Sequence, residues 1–172
     1  MPVSIGCVTN ARLANLFAPS TSIGTGIALL LLRLVVGWSL HLHGMPKLGN
    51  PMHWLDDAPA LHAAVPNAPQ FLEPIVAVAE SIGGLFIMLG LLTRLFTALI
   101  ICDLGVAVFF TGMLTGHAFV GKDPSYEIPA LLWTAVVALF IAGPGRYSLD
   151  ALIARRLAPP STSGRTHAER TP

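Results

Sequence analysis

Arg33, His41, His43 and Lys47 interrupt the apolar run RLVVGWSLHLHGMPKL, while Glu80 and Asp103 lie deep in two further apolar runs. These side chains can hold or pass protons and can grip a polar head group, provided that partners come within hydrogen-bond reach. Spacing decides which of them can cooperate. On a helix, Arg33, Gly37, Leu40, Gly44 and Lys47 fall within about 40° of one line. Glu73, Glu80, Gly84, Ile87 and Leu91 form a second stripe of the same kind. Glu127 opens a fourth apolar run. Together Arg33, His43, Lys47, Glu80, Asp103 and Glu127 are expected to form a polar seam, running from the deep end of these runs towards one surface.

Other chemistry fits the sequence poorly. His41 and His43 are two residues apart, about 160° from each other around a helix, so they cannot ligate one metal together. Bis-histidine haem binding would need a second deep histidine on another helix. The remaining histidines, His53, His62 and His117 among them, read as loop or interfacial residues, and no metal site is expected. Cys7 and Cys102 form no C-x-x-C and no disulfide framework; Cys102 reads as a small buried hydrophobe. There is no P-loop, no G-x-G-x-x-G, no G-x-S-x-G and no H-E-x-x-H. A net charge of +1 gives no reason to expect nucleic acid.

The elements that must position the seam follow from composition. Of the 172 residues, 53% are hydrophobic and 11% charged, against roughly 25% charged in an average soluble domain. Mean hydropathy is +0.69. The chain therefore reads as an all-α integral membrane four-helix bundle. Its spans are expected at 23–45, closed by Pro46, then 71–92, 95–114 and 128–142, the last ending at Gly143-Pro144-Gly145. Each approaches the roughly 20 residues a bilayer core requires. Thr93-Arg94 makes the second and third a hairpin. The proline-rich stretch 49–70 reads as an irregular loop with a short turn at the membrane surface. Residues 1–22 and 158–172 read as cytoplasmic tails flanking a transmembrane domain at 23–157, the second of them disordered, with no secretory signal at the start.

Orientation follows from basic loop residues. With both termini cytoplasmic, that side holds Arg12, Arg94, Arg146, Arg155, Arg156, Arg165 and Arg170, and the other holds Lys47 and Lys122. In a bacterium this is a multi-pass protein of the inner membrane. Arg33, Glu80 and Asp103 then lie eight to ten residues into their spans, roughly 12–15 Å deep. An unpaired charge there costs about 3 kcal/mol on insertion scales. Arg33 with Glu80 is the least costly pairing, and Asp103 either shares the arginine or keeps its proton. Lys47 has Glu127 or Glu73 in reach. Two readings stand side by side: these pairs lock helices together, or the seam binds a head group and carries protons. Gly37, Gly44, Gly83 and Gly84 would let the backbones approach closely beside them.

Three stretches carry a resemblance to a known family. RLVVGWSLHLHGMPKL, AESIGGLFIMLGLLTRL and YEIPALLWTAVVALFIAGPGRYSLDALI fall in the order and spacing of the DoxX family, over residues 25–153. The resemblance implies a four-helix inner-membrane protein, in a family named for a subunit of quinone-linked sulfur-compound oxidation. Other members resemble partners in membrane complexes of redox and oxidative-stress enzymes. The family positions that carry over are Arg33, His43, Gly44, Lys47, Glu80, Gly83, Gly84, Arg94, Glu127, Gly143, Gly145, Arg146 and Asp150. His41 and Asp103 lie outside that pattern.

The leading functional expectation is a membrane subunit of a quinone- or quinol-linked redox system. Its ligand would be a quinone, with no covalent cofactor, and its electrons would come from a soluble or membrane oxidoreductase. A non-catalytic scaffold recruiting soluble oxidoreductases is the alternative, and a small proton-coupled transporter the third. A thin bundle of this kind is also expected to form a homodimer.

Overall fold

The computed structural model describes residues 23–114, 116, 118–121 and 125–157. The tails expected at 1–22 and 158–172, and the positions of Cys7, His117 and Lys122, lie outside the described residues. The fold is all-α. Helix α1 is Ile23–Gly49, followed by a 3-10 turn at Trp54–Asp57, a short α2 at Pro59–Ala64, and α3 at Leu72–Leu89. Helix α4, Thr93–Val106, continues in a wider π-helical winding over Ala107–Leu114; α5 is Glu127–Ala142 and α6 is Leu149–Leu157. Three of these helices are long and apolar enough to cross a membrane, Ile23–Gly49, Leu72–Leu89 and Thr93–Phe110, and α5 is a shorter apolar fourth.

The exposed surface explains the composition. Leu31, Leu34, Val35, Trp38 and Leu42 of α1, and Ile75, Val78, Ile82, Leu85 and Leu89 of α3, all point outward. Such a continuous apolar exterior is stable in lipid and not in water. The core inside it is narrow: Leu29, Val36, Leu40, Ile87, Ile100, Leu104, Val136 and Leu139 form one cluster. Cys102 belongs to the exterior instead, a correction of its expected burial. It lies 200° around α4 from the buried Ile100, so it faces outward by geometry.

Helix α1 packs along α3, and α4 along α5. The glycines on the two predicted stripes make the first contact possible. A Cβ on Gly37 would come within 2.5 Å of the Gly84 carbonyl oxygen, and one on Gly84 within 2.6 Å of that of Gly37. Only hydrogen fits there, so the two backbones run against each other. Gly44 does the same against Ser81, and Phe96 of α4 occupies the space beside Gly83.

Two boundaries differ from expectation. Helix α1 runs through Pro46 for another turn. A proline this close to a helix end removes a single backbone hydrogen bond, which membrane helices tolerate, and the added turn carries Lys47 inward. The α3–α4 hairpin turns over Gly90–Leu92, one turn before the expected point, with Gly90 at φ 68°. The N-terminal part of α1 meets the last segment, since Gly26 lies against Arg146 and Tyr147. The ends of the described chain thus share one end of the bundle, and the 50–70 segment caps the other.

Candidate functional site

At the capped end, Lys47 Nζ lies 2.6 Å from Glu80 Oε2. The extra turn of α1 and the stripe on α3 bring them together, because Gly44 lets α1 approach the Glu80–Ser81 backbone. The lysine side chain is one fifth exposed and the glutamate nearly buried. Asp103 of α4 is the third member, with its carboxyl against that of Glu80 and within the field of Lys47. Its Oδ2 is buried and has no hydrogen-bond partner among the described residues. One ammonium thus faces two carboxyl groups.

A cavity of about 300 Å³ opens on this cluster. Lys47, Glu80, His43 and Ser125 supply its polar wall, and Leu40, Leu104, Ala107, Ile128 and Leu132 most of the rest. Ala107 is the first residue of the π-helical winding, which enlarges the helix beside the cavity; such segments recur at functional sites. The segment 50–70 roofs the cluster. The Lys47 ammonium sits 4.2 Å from the centre of the Trp54 ring, a cation–π contact. Trp54 Nε1 donates to the Glu73 carbonyl at 2.9 Å, and the Leu55 amide donates to the Glu73 carboxylate at 3.2 Å. Trp54 and Leu55 are buried, so this stretch is a folded cap and not an irregular loop.

Arg33 belongs to a different cluster. It is fully buried, and its Nη2 donates to the Tyr147 carbonyl at 2.5 Å. Asp150 lies close enough to act on its charge. The Asp150 carboxylate itself accepts from the Leu92 and Thr93 amides at 2.8 and 3.0 Å, satisfying the first donors of α4. The Asp150 amide donates to the Gly90 carbonyl at 2.9 Å, and Ser148 Oγ accepts from Ala151 at 3.0 Å. Gly90 must be glycine here, because its φ is positive and a Cβ would run into Arg33 Nη1. Gly143 and Gly145 form the turn leading into this cluster, with the Arg94 guanidinium beside Gly143.

The expected seam is therefore two separate sites. Lys47, Glu80 and Asp103 come together with His43 at the rim, and Arg33 does not join them. Glu80 is paired with Lys47 instead of Arg33, and Lys47 with Glu80 instead of Glu73 or Glu127. Glu73 holds the cap. Glu127 is half-buried in the first turn of α5, where a negative charge favours the helix N-terminus. His41 is set into the α1–α3 contact, with Nδ1 2.9 Å from the Ser81 carbonyl oxygen. Among the described residues, no group of three or more His, Cys, Asp or Glu side chains is placed to hold a metal ion. Trp54 and Tyr147 escaped the reading of the sequence. A Trp-Leu pair inside a proline-rich loop was a usable signal for the first, while the second acts through its backbone.

Exposed apolar helices around a small buried cluster of charges define a multi-pass α-helical membrane protein. The DoxX family model matches residues 28–113, half of the chain, and the protein belongs to the DoxX family. The match spans α1 to the π-helical segment and contains Lys47, Glu80 and Asp103; it ends before α5 and the Gly143–Gly145 turn. No curated protein and no solved structure shows significant similarity to the chain.

Proposed function

We propose that the cavity lined by Lys47, Glu80 and His43, with Asp103 against Glu80, receives the head group of a quinone or quinol, making the protein the membrane subunit of a redox system. The single observation that carries this reading is the Lys47–Glu80 ion pair set in the wall of a largely apolar cavity. A quinone supplies a two-electron carrier with two carbonyl oxygens and an apolar tail. The Lys47 ammonium is a donor for one such oxygen, held in place by the Trp54 ring. Glu80 joins that ammonium to Asp103, whose unpartnered Oδ2 is a free site for a proton passing to or from the head group. The chain offers no electron carrier of its own in this reading, so a partner oxidoreductase, soluble or membrane-bound, delivers the electrons. The same proposal sets the protein in a bacterial inner membrane with both termini cytoplasmic. Arg94, Arg146, Arg155 and Arg156 at the uncapped end, against Lys47 at the other, support that orientation. A homodimer is part of the expectation.

Two measurements test the reading. Protein extracted gently from membranes should carry quinone, identified by its ultraviolet absorbance after solvent extraction. Added short-chain quinone should bind saturably, with affinity reduced at least tenfold by Glu80→Gln or Lys47→Met. Non-saturable partition into the detergent, equal in both variants, would reject it. A scaffold would instead keep its partners, bind no quinone and ignore Glu80→Gln.

A further inference from the structure

A second cavity, of about 390 Å³, lies at the opposite end of the bundle from the Lys47–Glu80 cavity and is independent of it. Its floor is apolar, built by Leu30 of α1 and Met88 and Leu89 of α3, and its rim carries Arg146 and Arg155. Neither arginine has a carboxylate within 4 Å among the described residues. The Arg146 stem packs over Gly26, and its guanidinium lies 5.4 Å from the centre of the half-exposed Tyr147 ring. An apolar stem with a charged head beside an aromatic ring is the arrangement of a side chain reaching for the lipid–water boundary.

Helix α6 gives independent support. Leu149, Leu152 and Ile153 are exposed, yet they share an arc of about 100° on the helix. Arg155 flanks that arc, and the exposed Arg156 closes it at the C-terminal end of the helix. A short helix with this pattern lies along the interface with its apolar arc in the acyl region. It thereby places Arg155 at head-group depth beside Arg146, while Leu30 and Leu89 continue downward into the hydrocarbon.

We infer that this cavity is a binding site for an anionic phospholipid, its phosphodiester held by Arg146 and Arg155 and its acyl chains laid on Leu30, Met88 and Leu89. The charge is complementary, and the apolar floor suits an acyl chain where free phosphate would gain nothing. A basic residue near an anionic membrane surface is worth about 1 kcal/mol, a factor of about five in affinity.

The test is native mass spectrometry of the full chain, released from detergent after titration with phosphatidylglycerol, phosphatidylcholine or inorganic phosphate. Phosphatidylglycerol should be retained preferentially. Arg155→Gln should lower that preference about fivefold, Arg146→Gln/Arg155→Gln about 25-fold, and Arg155→Lys should restore most of it. Arg155 is exposed near the end of α6, so its single variant reports even if the double variant fails to fold. Equal retention of phosphatidylcholine, or a preference that survives Arg155→Gln, overturns the site. Phosphate adducts as abundant as lipid adducts, and lost with the same variants, would overturn the lipid and leave an anion site in its place.

Discussion

The Lys47 ammonium and the Glu80 carboxylate form a 2.6 Å ion pair between the last turn of α1 and the middle of α3. The pair lies under the Trp54 ring, shielded from water and beside a second acid, so each partner matters mainly through what its loss leaves behind. Lys47→Met strands two carboxyl groups and should lower stability by about 3 kcal/mol. Lys47→Met/Glu80→Gln should recover much of that loss. A double-mutant cycle on reversible unfolding in mixed micelles checks this, and strictly additive losses would contradict the pairing.

Arg33 and Lys47 share one face of α1 but stand roughly 21 Å apart at 1.5 Å per residue. They serve different clusters, so their effects should add. Arg33→Ala leaves a cavity and an unsatisfied Tyr147 carbonyl, and is expected to cost about 3–5 kcal/mol. Combined with Lys47→Met, the total should equal the sum within about 0.5 kcal/mol. A coupling of 2 kcal/mol or more in the same assay would restore the single continuous seam.

Glycine substitutions along α1 should separate sharply. Gly44→Ala drives a methyl group into the Ser81 backbone and should lower stability by about 1–3 kcal/mol through overpacking. Gly24→Ala meets nothing within 4 Å and should stay within about 0.5 kcal/mol of the parent. Thermal unfolding of the purified variants in one detergent tests both, and equal midpoints would mean that the α1–α3 contact is looser than described.

Asp150 holds the start of α4 through two backbone amides. Asp150→Asn keeps the shape but loses one acceptor and the charge, at a cost of about 2 kcal/mol. The Leu92 and Thr93 amides should then exchange with deuterium faster than those of the α4 interior. Unchanged protection at both would place the anchoring elsewhere.

Much of the fold was legible in the sequence because periodicity survives folding. The α1 and α3 stripes became the buried faces of those helices, with Arg33, Gly37, Leu40, Gly44, Glu80, Gly84 and Ile87 all buried. The pairing within the stripes was less legible, for two reasons. Depth counted from the start of each helix assumes that all helices begin at one level, but α1 starts more than two turns before the Gly90–Leu92 hairpin. Arg33 therefore lies level with that turn and not with Glu80. Its acceptor, moreover, is a main-chain carbonyl, which no residue type advertises. Pro46 reads as the end of α1, which hides the further turn that carries Lys47. The cap was hidden by its prolines, which here shape a 3-10 turn and a short helix around Trp54.

The Arg33–Tyr147 hydrogen bond closes a separation of 114 residues, and this sets an order of events at the ribosome. At about 5–20 residues per second, the acceptor is made roughly 6 to 23 s after the arginine. During that interval α1 carries a charge whose final acceptor does not yet exist. The first helix therefore bears that cost, about 3 kcal/mol on insertion scales, until the last segment arrives. A chain truncated before Tyr147 should therefore be less stable, even with every long apolar helix intact.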